Sequence, residues 1–269
     1  MLIKNFSASD DLTLMSSFYI NDYEFSNFSQ NGEDGIIELL SKYLINNNYY
    51  FAEVGCGNGL ENNSTNLVLG GWSGVVFDAP SNIYQYRRLL KIIQPTKEIK
   101  HASGKVSLSN IEQIINILKK YQIDFFSLDI DSYDFYIMQE ILRNNIFPQM
   151  ICVEYNSFLG TQPITVKYVE NFQRYKFDKK RGLYFGSSLK AWKVLFEKYN
   201  YKFVCVDKNG INAFFILPNN FKKKFNNFKG LQFEYTKTFI NKYGLSGEVL
   251  EKELLLNFKD EFINIKSLI

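Results

Sequence analysis

A short apolar strand that runs into three alternating glycines constrains this chain more than any other feature. The strand covers residues 49–54, and the glycines that follow are Gly55, Gly57 and Gly59. Glycines there let the backbone turn tightly and approach a ligand that a Cβ atom would block. A second apolar strand ends in Asp78, about 20 residues on, which is the spacing that places a carboxylate on a ribose in a βαβ unit. The stretch therefore predicts an adenosine-type cofactor site at the carboxyl ends of two neighbouring parallel strands.

The glycine pattern separates two cofactor classes. A dinucleotide fingerprint needs a third glycine at the position that Leu60 occupies. The G-x-G-x-G pattern, with Glu53 two residues before it, resembles motif I of the class I S-adenosylmethionine (SAM) methyltransferases. The resemblance implies that Glu53 lies near the methionine end of SAM, that the three glycines border the cofactor and that Asp78 binds the ribose hydroxyls. The alternative is an ordinary strand-to-helix turn with acids there by chance.

Composition and charge limit the class of protein. The 269 residues suffice for one large α/β domain or two small ones, and 46% hydrophobic residues indicate a globular chain. A net charge of +3 is too small to imply nucleic-acid binding. The three cysteines lie in or beside predicted strands, which argues for reduced thiols and a cytoplasmic enzyme. We expect no transmembrane segment, because no stretch reaches the roughly 18 apolar residues of a membrane span.

Hydrophobic periodicity predicts five strand–helix alternations followed by a hairpin. The strands are predicted at about 49–54, 74–78, 98–102, 125–128, 150–153, 202–206 and 211–217, and the last two flank an Asn-Gly turn. The helices are predicted at about 31–44, 62–69, 81–93, 109–120, 134–143 and 187–199, with Asn31 as the first N-cap. We therefore expect an α/β fold, a doubly wound and mostly parallel seven-stranded sheet with one antiparallel strand, as in class I SAM methyltransferases.

The chain divides at Pro218. Residues 1–218 are predicted to form the methyltransferase domain, with an irregular lead-in over residues 1–28. Residues 219–269 are predicted to be a helical extension packed on that domain or forming a homodimer contact. A membrane-surface helix is the alternative, which the acids of the extension disfavour. The apolar stripe of the extension consists of Leu250, Leu254, Leu255, Phe258 and Phe262.

Acidic side chains follow the fourth and fifth predicted strands. Asp129 and Asp131 come after one, and Glu154 and Asn156 after the next. Such oxygen ligands suit Mg²⁺, Mn²⁺ or Ca²⁺. The set resembles the Mg²⁺ site of catechol-type O-methyltransferases, although Glu-x-Asn here replaces adjacent Asp-Asn. The alternative is that Asp131 caps the helix at 134 and Glu154 meets a lysine.

Over residues 29–217 the chain resembles the FkbM-like bacterial methyltransferases, which include sugar O-methyltransferases from capsule clusters. The matching pieces are Ser29-Gln30-x-Gly-Glu33-Asp34-Gly-Ile, Gly71-Trp72-x-Gly-Val, Ser127-Leu-Asp129-Ile-Asp131, Cys152-Val-Glu154-Tyr-Asn156, Tyr184-Phe185-Gly186-x-Ser188-Leu189 and Asn212-Ala213-Phe214-Phe215. The resemblance implies methyl transfer to a hydroxyl of a sugar or nucleotide-activated sugar in capsular polysaccharide biosynthesis. Ser132-Tyr133 departs from the Gly-Asn that relatives often carry. We also count Gln30 and Asp129 among the cofactor-binding candidates.

Two residues are candidates for catalysis. His101, the only histidine, is predicted to end the third strand on the ligand side, where it could act as general base near neutral pH. A purely structural histidine is the alternative. Asp131 is the second candidate, because a metal held there could position and acidify a hydroxyl. Ala102 and Ser103 are expected to border the adenine.

A basic loop precedes Tyr184. It contains Lys176, Lys179, Lys180 and Arg181, so we expect Arg181 and Tyr184 to bind a sugar nucleotide. A solvated charged loop is the alternative. Two other functions remain open: an NAD(P)-binding oxidoreductase, against which the missing third glycine counts, and a catalytically inactive methyltransferase fold that serves as a binding or assembly protein, against which the intact acids count.

Overall fold

A seven-stranded sheet forms the centre of the molecule. The computed structural model describes residues 18–96 and 99–269. The strands of the described residues are β1 (Tyr50–Val54), β2 (Ser73–Asp78), β3 (Ile99–Ser103), β4 (Phe125–Leu128), β5 (Met150–Glu154), β6 (Ile164–Val166), β7 (Lys202–Val206), β8 (Asn212–Ile216) and β9 (Phe262–Asn264). Strands β6 and β9 form a separate two-stranded sheet. The large sheet has the order β3-β2-β1-β4-β5-β8-β7, and β8 alone of these described strands runs antiparallel to the rest. The predicted mostly parallel sheet is confirmed.

Helices cover both faces of the sheet. They are α1 (Glu33–Tyr43), α2 (Thr65–Leu69), α3 (Pro80–Ile93), α4 (Ile111–Leu118), α5 (Asp134–Arg143), α6 (Arg174–Phe177), α7 (Leu189–Lys198), α8 (Lys237–Tyr243) and α9 (Gly247–Asn257). Phe51 packs with α1, α2 and α3, whereas Ala52 and Val54 pack with α4, α5 and α7. This alternation along β1 produces the doubly wound arrangement. Within the described part of the chain, no helix has the length and apolar character needed to cross a bilayer.

Several boundaries differ by one to three residues from those predicted, among them the start of α1 and the end of β3. Asn31 is not the N-cap of α1, because Gly32 occupies that position with φ 98°, which favours glycine. Asn31 instead donates its backbone N–H to Glu33 at 2.6 Å. The third strand continues through Ser103, beyond its predicted end, while its predicted first residue, Glu98, lies outside the described residues. The first 17 residues of the predicted lead-in also lie outside them.

The extension over residues 219–269 packs against the sheet domain and its longest loop. Leu250 and Leu254 of α9 join the core that contains α5 and α7. Strand β9 pairs antiparallel with β6, so Thr165 lies opposite Ile263. Strand β6 and helix α6 both lie in the stretch 157–183, which the sequence indicated only as a long loop. The extension therefore supports the segment that follows β5.

Candidate active site

A cavity of about 870 Å³ lies at the carboxyl ends of β1, β2 and β4. The glycine loop and Asp78 form one part of its wall, and residues 129–133 form another. Residues 104–106 and 172–176 also line the cavity, as do Phe77, Ala79 and Asn82. Strand order reverses between β1 and β4, and open α/β sheets bind ligands at such a switch point. The volume is in the range of small-molecule sites.

The three glycines of the loop have different reasons to be glycine. All have positive φ, which is 89° at Gly55, 55° at Gly57 and 85° at Gly59. A Cβ on Gly55 would collide with the carbonyl oxygen of Asp129, and one on Gly59 would collide with the ring of Tyr86. At Gly57, by contrast, no atom of the described residues lies within 4 Å of the Cβ position. Gly57 therefore leaves open space at the cavity, whereas Gly55 and Gly59 permit close packing against Asp129 and Tyr86.

Asp78 connects the end of β2 to the glycine loop. Its Oδ2 accepts from the backbone N–H of Gly57 at 2.7 Å. Its Oδ1 accepts from the N–H of Ala79 at 2.5 Å and from Nδ2 of Asn82 at 2.9 Å. An ionised carboxylate has about four acceptor positions, so these three bonds leave one for a ligand hydroxyl. The half-buried carboxylate lines the cavity, where the sequence predicted it.

Glu53 lies beneath the loop and does not line the cavity. Its carboxylate accepts from the N–H of Asn63 at 2.9 Å, from Nδ2 of Asn62 at 3.0 Å and from the Ser64 hydroxyl. Burial raises the pKa of Glu53 to about 7. The residue thus fixes the segment that leads from the glycines into α2. Its predicted position near the methionine end of SAM stays a prediction.

Three carboxylates meet at the ends of β4 and β5. Each of Asp129, Asp131 and Glu154 offers an oxygen within 4.8 Å of the others. Leu128 pairs with Val153, so the residues that follow these two strands lie side by side. Burial raises the pKa of Asp129 and of Glu154 well above the usual range, and neighbouring carboxylates raise it further. The donor set fits a hard divalent cation.

Asp134, rather than Asp131, orders the turn before α5. Its two oxygens accept from the backbone N–H groups of Ile130 at 2.8 Å and Ser132 at 3.1 Å. Asp131 makes no side-chain cap for α5 and has a left-handed backbone with φ 56°. The carboxylate of Asp131 is exposed and pairs with Arg174. The alternative in which Asp131 only caps the helix is therefore wrong.

Asn156, the predicted fourth metal ligand, is committed to backbone partners. Its Nδ2 donates to the carbonyls of Leu183 at 2.7 Å and Phe185 at 2.9 Å. Its Oδ1 accepts from the N–H of Phe158 at 3.1 Å. These bonds hold the end of β5 to the segment before α7, which gives Asn156 a structural task beside the three carboxylates.

Arg174 is a site residue that the sequence did not single out. Its Nη1 contacts Asp131, its Nε donates to the carbonyl of Gly182 at 2.8 Å, and its guanidinium lies 4.1 Å from the ring centroid of Phe185. The basic run drew attention to residues 176–181, just past it. Arg174 is hard to identify from the sequence because α6, with only four residues, is too short to show a helical period.

His101 lies away from the cavity. It pairs with Val76 inside β3, two residues before the strand ends, and its ring is edge-on to Tyr86 at 6.2 Å. Burial, and then the charge of Arg87, lower the pKa of His101. Ala102 and Ser103 are also in the strand, and the cavity is instead lined by the next three residues, 104–106. The predicted base is thus turned towards α3, because its side chain lies on the same face of β3 as Ile99, which packs in the core with α3.

Three further candidates also lie outside the cavity lining. Arg181 pairs with Glu253 of α9. Tyr184 is buried, and its hydroxyl donates to the carbonyl of Glu261 at 3.0 Å. Gln30 is exposed and donates to Glu61 at 2.8 Å. Arg181 and Tyr184 therefore bind the C-terminal extension to the loop.

Comparison with known proteins gives likenesses of fold only. No family model and no curated protein matches the chain. An O-methyltransferase from Bacillus cereus in complex with SAH has 17% identity, covers 62% of this chain and 72% of that chain, and has a TM-score of 0.42. A SAH-bound methyltransferase from Podospora anserina has 14% identity, with 65% and 72% coverage and a TM-score of 0.43.

The mitomycin 7-O-methyltransferase has 14% identity and a TM-score of 0.38; the match covers 66% of this chain and 50% of that one. The chain thus spans half the length of that enzyme. Identities below 25% with TM-scores below 0.5 carry no argument about activity. The strand order found here is that of the class I SAM methyltransferase fold, and the functional argument rests on the site itself.

Proposed function

We propose that this chain is a SAM-dependent O-methyltransferase that methylates a hydroxyl of a sugar or nucleotide-activated sugar, assisted by a divalent cation. One observation carries the proposal: a single cavity joins the open side of Gly57 and the carboxylate of Asp78 to the carboxylates that follow β4. A cofactor side and an acidic acceptor side thus share one space.

The cofactor side fits an adenosine group. Asp78 retains an acceptor position for a ribose hydroxyl, and Gly57 offers space that any other residue would fill. SAM, when bound, supplies an electrophilic methyl group. The task of the chain is then alignment, because methyl transfer is an in-line displacement whose rate depends on the positions of the reacting atoms.

The acceptor side fits a cation, and it also offers a base. Asp129, Asp131 and Glu154 would hold Mg²⁺ or Mn²⁺, which would acidify the acceptor hydroxyl. Clustered carboxylates repel one another unless cations or protons neutralise them. Burial raises the pKa of Asp129, which lines the cavity, so in the absence of a cation its carboxylate would be a candidate to receive the hydroxyl proton. This is a nearer candidate for the base than His101.

The acceptor class rests on two supports. The first is the resemblance over residues 29–217 to sugar methyltransferases of capsule clusters. The second is the presence of basic side chains in the cavity lining, Lys105, Arg174 and Lys176. A role in the synthesis of capsular polysaccharide follows from the first support alone.

The test combines calorimetry with a turnover assay. The full chain is titrated with SAM and with NAD⁺, and methyl transfer is then measured on a panel of sugar nucleotides with Mg²⁺ present. We expect SAM binding and turnover of at least one acceptor. Binding of NAD⁺ without SAM would favour an oxidoreductase. SAM binding without turnover on any acceptor would favour the inactive binding protein.

A further inference from the structure

The cavity has charges of opposite sign on different elements. Its acids lie at strand ends: Asp78 is the last residue of β2, and Asp129 and Asp131 follow β4. Its cationic side chains come from one loop and one short helix: Lys105 follows β3, and Arg174 and Lys176 belong to α6. We call Lys105, Arg174 and Lys176 the basic wall.

Lys105 adds a positive charge to the basic wall. Its Nζ donates to the carbonyl of Glu170 at 3.0 Å and to Oδ1 of Asn171 at 3.3 Å, and both partners are neutral. The carboxylate of Glu170 is occupied by the hydroxyls of Ser109 and Tyr168. These bonds place the ammonium beside the segment that leads into α6, although 65 residues of chain separate the two.

Arg174 is held rigidly and still has donors to offer. The guanidinium stacks on Phe185 and bonds to Gly182 and Asp131 through Nε and Nη1. A guanidinium carries five N–H donors, so these contacts leave several for another acceptor. Lys176, two residues further on in α6, is exposed at the same cavity.

We propose that the basic wall binds an anionic group of the acceptor, a phosphate or a carboxylate. This inference rests on the proposed methyl transfer for the identity of the ligand as an acceptor. The acids at the strand ends repel an anion and the basic wall attracts it, so the anionic group lies against Lys105, Arg174 and Lys176. The hydroxyl at the other end of the same acceptor then points towards Asp129. A neutral saccharide would offer these cations no opposite charge.

The probes are inorganic pyrophosphate and glucuronate, titrated calorimetrically into the full chain at low salt, with and without saturating SAH. Lys176→Ala and Lys105→Ala should each weaken binding of the preferred probe by about tenfold, because each removes a charge-assisted contact. Lys176→Arg should restore most of the affinity. Lys179→Ala is the matched control, because Lys179 belongs to the same basic run but does not line the cavity. Tighter binding of pyrophosphate identifies phosphate, and tighter binding of glucuronate identifies carboxylate.

Two results would overturn the inference: neither probe binds, or Lys179→Ala weakens binding as much as Lys176→Ala. Once an acceptor that the chain methylates has been found, Lys176→Ala should raise the KM for that acceptor about tenfold and leave kcat within about twofold. The proposed function fails separately. If SAH does not bind but pyrophosphate binds in a lysine-dependent way, the proposed methyl transfer is wrong and anion binding by the basic wall is supported. If SAH binds and neither anion does, anion binding is wrong and the cofactor assignment is supported.

Discussion

The two sides of the cavity are built in different ways. The cofactor side comes from one continuous segment, in which Asp78 bonds to Gly57 only 21 residues away. The acceptor side combines residues that follow β3, β4 and β5 with helix α6, and its ion pair, Asp131 with Arg174, spans 43 residues. On the cofactor side, polar groups bond to residues nearby in the sequence. On the acceptor side, several carboxylates lie close together, and a cationic side chain from a distant part of the sequence pairs with one of them. Changes on the acceptor side should therefore alter chemistry while leaving cofactor binding intact.

The largest expected effect is on the acceptor side. Asp131→Asn or Glu154→Gln should lower turnover about 100-fold or more, because each removes a ligand of the proposed cation. Treatment with EDTA should do the same, and Mg²⁺ or Mn²⁺ should restore activity. SAM affinity, measured by calorimetry, should not change.

The exposed Glu112→Gln serves as the matched control for loss of a carboxylate. Full activity in metal-stripped enzyme would contradict the cation. A parallel loss of SAM affinity in Glu154→Gln would contradict the independence of the two sides.

The next effect concerns the buried acid beneath the cofactor side. The pKa of Glu53 is about 7 in the folded chain against an ordinary 4.5, so the folded state holds the proton more tightly. This contribution to stability is complete below pH 4.5 and is lost as the pH rises to 7. It amounts to about 3 kcal/mol at most.

Urea unfolding at pH 5 and pH 7.5 measures this dependence. In Glu53→Gln the decline of the unfolding free energy between the two pH values should be smaller than in the wild type. An unchanged decline would mean that other buried acids, such as Asp207, account for it.

A somewhat smaller effect is expected for the carboxylate that lines the cofactor side. Asp78→Ala should weaken SAM binding about tenfold to a hundredfold, because a charge-assisted hydrogen bond contributes roughly 1.5–3 kcal/mol. Asn82→Ala removes a neighbour of the carboxylate but keeps the carboxylate itself, so it should retain most of the affinity. Calorimetry that finds wild-type affinity in Asp78→Ala would count decisively against the cofactor assignment.

The smallest effect separates the basic wall from the rest of the basic run. Arg181 pairs with the partly exposed Glu253 and lies over the ring of Tyr243 at 5.4 Å. Arg181→Ala should therefore lower the free energy of unfolding by about 1 kcal/mol and leave the KM for the acceptor unchanged. A raised KM with unchanged thermal stability would restore Arg181 as a substrate residue.

The cofactor side could be predicted because its information is local. A strand, three glycines and an acid at a fixed spacing specify a βαβ unit, and parallel strands bring the acids that follow β4 and β5 together. The position of His101 depended on which face of β3 carries its side chain, and that face packs against α3 rather than the cavity.

Two of the three residues of the basic wall could not be identified in the same way, whereas Lys176 belongs to the predicted basic loop. Lys105 lies in a loop and Arg174 in a helix of four residues, where no hydrophobic period indicates which side chain faces inward. Lys105 is directed by contacts with Glu170 and Asn171, which are 65 and 66 residues away. Arg174 is directed by contacts with Gly182 and Phe185, beyond the end of its short helix.

The left-handed backbone of Asp131 sets thermostability against activity at one position. Glycine adopts φ 56° freely, whereas an aspartate there carries a conformational cost on the order of 1 kcal/mol, to which the repulsion of neighbouring carboxylates is added. Selection for variants of higher thermal stability would therefore tend to replace Asp131 with glycine. Such variants would tolerate more heat and lose the carboxylate that faces Arg174, so a screen for stability alone would select against the reaction.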